Sequence, residues 1–229
     1  MDIRQLQPPY IIGILGGTGK EGFGLAYQWS QKGHKINIGS RDKEKAMMAA
    51  EKIRQLLPGS IVSGETNLVA SKQSDIIVAC VPYNAHYELL NQLKDELRGK
   101  ILIDVTVPLM PPKVTTVRLP PAGSAALEAR QILGEDVDIV SAFQNISYEN
   151  LLRPGEVSCD VLVSGGSKFA KKIVLELVKD AGLIGWDAGP LENSVVAEGL
   201  TSILIGINKQ YGVHSSGIKI TGVPRENYS

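Results

Sequence analysis

A glycine-rich motif near the N-terminus has the spacing that binds a phosphate group. It follows the apolar run 10–15 and precedes a segment of helical period, which favours a strand–turn–helix unit over an ordinary glycine-rich turn. The first glycine allows the tight turn, the second lets the backbone approach a pyrophosphate, and the third lets the helix pack closely on the strand. Amide groups at the start of the helix then hold the negative charge. The motif consists of Gly17, Thr18, Gly19, Lys20, Glu21 and Gly22.

The residues after the second predicted strand indicate which dinucleotide binds. A protein that prefers NAD usually has a carboxylate there, which accepts hydrogen bonds from the ribose 2′-hydroxyl. This sequence has Ser40 and Arg41 instead, and Lys45 follows four residues after Arg41. A guanidinium group suits a 2′-phosphate, and the serine hydroxyl can add a hydrogen bond. We therefore predict NADP as the dinucleotide, the alternative being that Arg41 and Lys45 are merely solvated surface residues.

No pair of side chains offers an evident acid–base or nucleophilic mechanism. The three histidines share no metal-ligand spacing, so no metal site is predicted, and we expect His34 to lie exposed in a turn. His86 follows the fourth predicted strand, where it lies either near a nicotinamide or on a helix surface. Reduction of a ketone needs a proton donor beside the hydride site, for which only His86 or Asp104 is available. Hydride exchange between two cofactors depends mainly on positioning, so we predict no catalytic side chain.

Strand-sized apolar runs alternate with segments of helical period along most of the chain. This alternation predicts an α/β protein with a Rossmann-type, doubly wound parallel sheet. We expect the proline-rich stretch 108–121 to form a long loop that borders a ligand. The predicted strands are 10–15, 35–39, 61–63, 75–81, 101–105 and 137–142, and the first helices cover 22–31, 43–57 and 86–97.

The pattern changes after residue 142, which predicts two unequal parts. Residues 1–145 form an NADP-binding Rossmann domain, and residues 146–229 form a smaller C-terminal α/β portion. In the second part we expect a strand at 160–164, a helix at 169–181 and an extended turn at 186–190. Residues 195–211 are apolar on most sides, so we expect this helix to be buried and to take part in a homodimer or a higher homo-oligomer.

Composition excludes several classes of protein. The 229 residues include 24 Lys or Arg and 24 Asp or Glu, and this balance argues against a general nucleic-acid binder or a basic membrane-surface protein. Cys80 and Cys159 lie far apart and lack CxxC partners, which excludes a disulfide framework and a zinc ribbon. No apolar run reaches the roughly 18 residues that a membrane span needs. We expect a cytoplasmic protein whose partners are small molecules.

Four stretches together resemble the family of NADPH-dependent reductases of the 8-hydroxy-5-deazaflavin cofactor, coenzyme F420. They bracket nearly the whole chain, and the third, which precedes the apolar helix, is more specific than the first two. The stretches are Gly16-Gly17-Thr18-Gly19, Gly39-Ser40-Arg41 with Lys45, Asp187-Ala188-Gly189-Pro190-Leu191, and Gly217-Ile218-Lys219-Ile220.

The resemblance implies that nicotinamide and deazaflavin rings stack and that hydride passes directly between nicotinamide C4 and deazaflavin C5. NADP(H) and coenzyme F420 are then the two ligands, and the C-terminal portion completes the deazaflavin pocket. The motif residues from Thr18 to Glu21 would surround the pyrophosphate and the adjacent ribose. The residues implied near the rings are Val81, Pro82, Val107 and Ser216.

Two departures from the family pattern bear on the acceptor. Gln144 stands where the family has a histidine; it can hydrogen-bond a ring carbonyl but cannot become cationic, and a loop-capping role for Gln144 and Asn145 is the alternative. His86 also lies one place later than the family pattern. The competing functions are an NADPH-dependent reductase of a flavin, a ferric chelate or a small imine or carbonyl, and a non-catalytic NADP-binding redox sensor.

Overall fold

The computed structural model describes residues 5–152 and 159–223 of the chain. Within these ranges the strands are β1 (Ile11–Leu15), β2 (Lys35–Ser40), β3 (Val62–Thr66), β4 (Ile76–Ala79), β5 (Ile101–Asp104), β6 (Asp138–Ser141), β7 (Asp160–Gly165) and β8 (Ile184–Asp187). The helices are α1 (Lys20–Gln31), α2 (Lys43–Leu56), α3 (Asn67–Lys72), α4 (Tyr83–Leu97), α5 (Ala125–Leu133), α6 (Tyr148–Leu151), α7 (Lys168–Asp180) and α8 (Ser194–Tyr211). A 3₁₀ turn covers Leu191–Asn193.

The strands of the described residues form one sheet in the order β3-β2-β1-β4-β5-β6-β7-β8. Neighbours are parallel from β3 to β6, β7 runs antiparallel to β6, and β8 is parallel to β7. The first six strands therefore have the order of a Rossmann fold, which confirms the predicted fold class. Strand order reverses between β1 and β4, and ligands bind at the carboxyl ends of the strands beside such a reversal.

Hydrophobic side chains alternate along the strands between two cores, one on each face of the sheet. In β4, Ile76 and Val78 belong to one core, and Ile77 and Ala79 belong to the other. Helices α1, α2 and α7 contribute to the first core, whereas α3, α4 and α5 contribute to the second. Because helices cover both faces, the carboxyl ends of the strands are the place for a ligand site.

The C-terminal strands extend the same sheet across the boundary predicted at residue 145. Val140 and Ser141 of β6 pair with Gly165 and Ser164 of β7. Trp29 of α1 links the two parts further, since its Nε1 donates to the Leu177 carbonyl oxygen at 2.8 Å. The division into residues 1–145 and 146–229 stays a prediction, and residues 1–4, 153–158 and 224–229 lie outside the described ranges.

Three local predictions were wrong or incomplete. The expected turn at 186–190 begins inside strand β8, which pairs with β7 at the edge of the sheet. Helices α3, α5 and α6 were not predicted, and side-chain oxygens of Thr66, Ser124 and Ser147 cap their first turns. His34 is buried rather than exposed, because its ring nitrogens bond the Tyr10 main-chain N–H and the Asp180 carboxylate.

Helix α8 has a buried face and an exposed apolar face. Ala197 and Leu204 are buried, whereas Val196 and Ile203 are 62% and 49% exposed. The chain on its own therefore leaves uncovered the apolar face for which burial against a second subunit is expected. Across the described ranges, no helix combines the length and hydropathy that a bilayer crossing requires.

Candidate functional site

Two cavities adjoin at the carboxyl edge of the sheet, beside the reversal between β1 and β4. The smaller has a volume of about 560 Å³ and the larger about 850 Å³. Both are lined by Gly19, Cys80, Val81 and Pro82. The glycine motif and the end of β4 therefore form a wall that both cavities share. Two ligands can meet beside it.

The turn after β1 depends on Gly16, one residue earlier than predicted. Gly16 has a φ of +75°, and the main-chain N–H groups of Gly16 and Gly17 both donate to the Gly39 carbonyl oxygen. A Cβ on Gly16 would lie 2.5 Å from the Cys80 carbonyl oxygen. A side chain would be strained at this positive φ, and its Cβ would collide with the backbone at the end of β4. Glycine is therefore required where the turn after β1 lies against β2 and β4.

The other glycines of the motif have separate roles. A Cβ on Gly22 would lie 2.8 Å from the Gly17 Cα, so Gly22 allows α1 to pack on the turn. A Cβ on Gly19 would meet only the Gly16 carbonyl oxygen, at 3.4 Å, and Gly19 opens onto both cavities. Helix α1 starts at the next residue, so its free N–H groups and positive dipole end lie at the cavities.

The structure separates the three residues predicted to bind a 2′-phosphate. Ser40 and Arg41 line the smaller cavity together with Thr18 of the glycine motif. Lys45 lies outside that lining; its side chain is 72% exposed and its ammonium is 3.8 Å from Asp42. The Asp42 carboxylate accepts from the first main-chain N–H groups of α2, which keeps it in the cap of that helix.

Part of the smaller cavity is formed by residues that were not predicted. Thr66 and Asn67 also line it, from the end of β3 and the start of α3. Asn67 Oδ1 accepts from the Gly16 main-chain N–H at 3.4 Å. Thr66 and Asn67 could have been identified from the sequence, because they are polar and follow a predicted strand whose carboxyl end borders the site.

Apolar side chains form most of the larger cavity. Val81 and Pro82 come from the end of β4, and Val107 follows β5, as predicted. The proline-rich loop after β5 lines the cavity, which agrees with the expectation that it borders a ligand site. Further apolar lining residues are Val105, Leu109, Met110, Pro111, Val114 and Ile146.

The larger cavity also has a polar part. Glu21 Oε1, Thr106 Oγ1 and Gln144 Oε1 are buried oxygens without a hydrogen-bond partner among the described residues. The three residues line the larger cavity, but these oxygens themselves are closed off from solvent and therefore lie behind its surface.

Gln144 is held rigidly, with its carbonyl oxygen left free. Its Nε2 donates to the Asp104 carbonyl oxygen at 2.7 Å and to Ser141 Oγ at 2.8 Å. Phe143 just before it has a φ of +72°, a left-handed conformation that is rare outside glycine. Both amide hydrogens are used within the protein, so Gln144 offers an acceptor rather than the donor that we expected for a ring carbonyl.

Asn145 has the structural role that the sequence left open. Its Nδ2 donates to the Ala197 carbonyl oxygen at 2.8 Å and to Thr201 Oγ1 at 3.2 Å. Thr201 in turn donates to the Gln144 carbonyl oxygen. Helix α8 therefore fixes the segment that presents Gln144.

Glu21 is a partly buried carboxyl group in the first turn of α1. Burial raises its pKa to about 8, so the group is mostly protonated at neutral pH. Burial, followed by the nearby Glu21, also raises the pKa of the Cys80 thiol well above its usual range. Lys20 does not neutralise Glu21, because its ammonium donates to the Tyr148 hydroxyl and lies 4.6 Å from the centre of that ring.

Ser216 lies away from both cavity linings that the described residues form. Its Oγ donates to the Leu204 carbonyl oxygen at 3.1 Å, and its N–H donates to Asn208 Oδ1. Both contacts attach the segment after α8 to that helix. A role for Ser216 between two ligands stays a prediction.

His86 and Asp104 form a buried pair behind the cavity. His86 Nε2 lies 2.8 Å from Asp104 Oδ2, and both side chains are at most 1% exposed. The surface position considered for His86 was therefore wrong, and neither residue lines the cavities. Burial alone would lower the pKa of His86, but the charge and hydrogen bond of Asp104 outweigh it and raise the pKa.

A second buried carboxyl connects α8 to α5. Glu198 accepts hydrogen bonds from the main-chain N–H groups of Ala125 and Ala126, at 2.6 and 3.1 Å. Burial raises its pKa to about 8 in spite of these two donors. Glu198 thus completes the first turn of α5 and lies outside the lining of both cavities.

We expect Asp104→Asn to lower the free energy of unfolding more at pH 5.5 than at pH 8.5. The raised pKa of His86 means that the ion pair stabilises the fold fully below the ordinary histidine value of 6.5. This stabilisation is lost as the pH rises through the higher pKa of the folded state. Asparagine still accepts from the Thr106 main-chain N–H but removes the charge. The expected loss at pH 5.5 is about 3 kcal/mol, measured by urea unfolding.

Asp95→Asn is the matched control for this measurement. The Asp95 side chain is 86% exposed and pairs with Arg98 on the surface of α4, so its replacement should change stability little at either pH. Equal losses for Asp104→Asn at both pH values would contradict a charged His86–Asp104 pair.

Comparison with known proteins agrees with the resemblance found in the sequence. Residues 11–108 match the family described as "NADP oxidoreductase coenzyme F420-dependent". The F420-dependent NADP reductase of Methanocaldococcus jannaschii is 41% identical over 223 residues, covering 93% of this chain and 98% of that protein. The enzyme of the same name from Methanothermobacter marburgensis is 36% identical, covering 93% of this chain and 99% of that protein.

A solved structure extends the likeness to the fold of most of the chain. A crystal structure from Arthrobacter sp. FB24, provisionally named an F420-dependent NADP reductase, aligns with a TM-score of 0.77 at 25% identity. The alignment covers 93% of this chain and all of that one. Together with the two archaeal relatives, this agreement shows that the chain belongs to the family of F420-dependent NADP reductases.

Proposed function

We propose that this protein transfers a hydride directly between NADP(H) and coenzyme F420. The observation that supports this proposal most strongly is the common wall of Gly19, Cys80, Val81 and Pro82 between two cavities. A dinucleotide bound in the smaller cavity can pass along these four residues and place its nicotinamide in the larger cavity. A second ring system in that cavity then lies against it, as transfer between two cofactors requires.

The residues present fit the phosphate groups of NADP(H). Gly19 leaves its backbone open to the cavities, and the N–H groups at the start of α1 face the same space. Arg41 lines the smaller cavity with an exposed guanidinium, and Ser40 lies beside it. We assign these two residues to the 2′-phosphate and give Lys45 at most a weak, solvent-screened contribution, because its side chain is directed to Asp42.

The chain positions two rings and keeps water away from them. With both ligands bound, nicotinamide C4 and deazaflavin C5 exchange the hydride. Val81, Pro82 and Val107 provide apolar contacts at the end of the sheet, and Leu109 and Met110 of the proline-rich loop add to this apolar lining. No described titratable group need transfer a proton in this step, and His86 and Asp104 lie behind the wall.

We propose that the two parts of the chain contribute differently to the two ligand pockets. Residues 1–145 bind NADP(H), and the C-terminal portion, 146–229, completes the second pocket through Ile146 and through Thr201 of α8. The described Cys80 and Cys159 are free thiols, which suits the reducing cytoplasm where we propose that the protein works. We propose small molecules, not nucleic acids, as its ligands.

The first test is NADPH oxidation with and without oxidised deazaflavin coenzyme, followed through the absorbance of the deazaflavin. We expect bleaching that requires both the protein and NADPH. NADPH binding without bleaching would contradict the proposal. It would direct the assay to flavin, ferric chelates and small imines or carbonyls, and failure of these would favour a redox sensor.

We expect Arg41→Ala to lower kcat/KM for NADPH by about 1–3 kcal/mol in free-energy terms, through a higher KM, and to leave kcat/KM for NADH nearly unchanged. The reason is that only NADPH has a 2′-phosphate for the guanidinium. Arg98→Ala, at the far end of α4, is the matched control because Arg98 pairs with Asp95 on the surface. Equal losses with both dinucleotides would show that Arg41 does not bind the 2′-phosphate.

We further propose a homodimer, supported by the exposed apolar face of α8. Val196, Ile203 and Ile207 lie exposed on this face, together with Tyr211 at its end. We expect elution at twice the monomer mass, and we expect Ile203→Glu to shift the protein towards monomer because it places a charge on that face. Wild-type protein that elutes as a monomer over a concentration series would contradict the dimer.

A further inference from the structure

One face of helix α4 lines the smaller cavity, and the phosphate-binding residues do not account for it. Glu88 and Gln92 lie one turn apart on this face, and both are exposed. The apolar residues beside them in the lining are Ala85, Leu89 and Leu93. Residues three and four positions apart share one side of a helix, so this wall of the cavity is an apolar surface with a polar edge.

Leu68 at the start of α3 adds a further apolar side chain to the smaller cavity. It is 43% exposed although it belongs to the cavity lining. A flat ring that contacts Leu68 and the apolar residues of α4 would remove this surface from water, which favours binding. This part of the cavity therefore suits an aromatic ring with polar atoms on its edge.

The connectivity of NADP(H) brings its adenine to the same part of the cavity. The 2′-phosphate and the base are attached to neighbouring carbons of one ribose, so the base lies next to the phosphate that we assign to Ser40 and Arg41. The turn at Gly19 is assigned to the pyrophosphate, which leads on to the larger cavity. The lining at Leu68 and along α4 is left for the base.

Glu88 determines the orientation of the Gln92 amide. Gln92 Nε2 lies 3.0 Å from Glu88 Oε1, and an ionised carboxylate can only accept, so the amide nitrogen and not its oxygen must face Glu88. One amide hydrogen is used in this contact. The second hydrogen and the carbonyl oxygen Oε1 remain, so Gln92 has one donor and one acceptor side by side.

We infer that Gln92 recognises the adenine of NADP(H) and that Glu88 is a positioning residue that orients the Gln92 amide. Gln92 Oε1 accepts from the exocyclic N6 amine, and Nε2 donates to the neighbouring ring nitrogen. Proteins use the same bidentate contact of a glutamine amide to recognise adenine in DNA. The inference rests on the proposed binding of NADP(H) in the smaller cavity and assigns the residue that selects the base.

This arrangement discriminates against a purine with a carbonyl group at the same position. Hypoxanthine has O6 where adenine has the N6 amine, so its oxygen would face Gln92 Oε1 and two acceptors would meet. The amide could turn over and donate to O6. It would then present its oxygen to the Glu88 carboxylate and lose the hydrogen bond between the two side chains.

The test measures the dissociation constants of NADPH and of reduced nicotinamide hypoxanthine dinucleotide phosphate, through nicotinamide fluorescence and without deazaflavin. The two probes differ only in the base, so the ratio of their dissociation constants reports contacts to the base. We expect wild-type protein to bind NADPH about tenfold more tightly, which is the order of discrimination that a bidentate contact to a base provides. A ratio near one would overturn the inference.

Two variants separate recognition from orientation. Gln92→Leu keeps the size of the side chain but neither polar group, so we expect the ratio to fall to about one through weaker NADPH binding. Glu88→Ala frees the amide to turn over, so we expect a ratio below about three, through tighter binding of the hypoxanthine probe. A tenfold ratio that persists in Gln92→Leu would overturn the inference. Its persistence in Glu88→Ala would overturn the positioning role of Glu88.

Glu51→Ala is the matched control. Gln55 Nε2 donates to Glu51 Oε1 at 3.1 Å on α2, so the same two residue types make the same contact there. The pair lies outside the linings of both cavities that the described residues form. We expect the wild-type ratio in this variant. A fall as large as that in Glu88→Ala would show that the ratio does not depend on the α4 wall and would overturn the inference.

Hydride transfer is not needed for these measurements, so the inference and the proposed function can fail separately. NADPH binding with a ratio near one overturns the inference alone. A tenfold ratio without bleaching of the deazaflavin supports the inference and contradicts the proposed function. Absence of NADPH binding to the folded protein would overturn both.

Discussion

The larger cavity depends on one buried residue, Asp104, at the carboxyl end of β5. Its carboxylate holds His86 of α4 through Oδ2 and the Thr106 main-chain N–H through Oδ1. Its carbonyl oxygen accepts from Gln144 after β6. A charged group at 0% exposure is costly unless its hydrogen bonds are complete, so these bonds fix α4, the loop after β5 and the Gln144 segment relative to one another.

A second set of contacts joins β1, β2 and β4 beside the reversal in strand order. The Gly39 carbonyl oxygen of β2 accepts from two successive N–H groups of the turn after β1, and the backbone at Gly16 approaches Cys80 closely. Because Gly16 has no side chain, the turn can lie close against the end of the sheet. The N-terminus of α1 then stays open to the two cavities. The two cavities are adjacent because this turn and the end of β4 cannot separate.

The parts of the fold that the sequence predicted are those with local patterns. Buried parallel strands appear as continuous apolar runs, and the glycine motif combines a strand, a turn and a helix within a short segment. His34 was misjudged because the partner that buries it, Asp180, lies 146 residues away in sequence. The end of strand β8 was taken for the start of a turn because none of its residues is fully buried, so Ile184–Asp187 lacks the apolar run of a central strand.

The candidate site was predictable in its position but not in its chemistry. Arg41 and Pro82 could be placed because each follows a strand that ends at the same edge. Gln144 was identified as a departure from the family pattern, yet the direction of its hydrogen bond depends on the Asp104 carbonyl oxygen, which no sequence pattern reveals. Ser216 was carried over by resemblance alone, and its contacts to α8 lie outside what spacing can predict.

The distribution of charge around the larger cavity suits a reaction that moves a hydride and needs no proton from the protein. The chain keeps its buried ion pair, His86–Asp104, outside the lining of the larger cavity, and the ammonium of Lys20, which does line it, is directed to the Tyr148 hydroxyl. Glu21 meets the same requirement in a different way. Burial raises its pKa to about 8, so this carboxyl group beside the glycine-rich turn carries less negative charge at neutral pH than an ordinary glutamate.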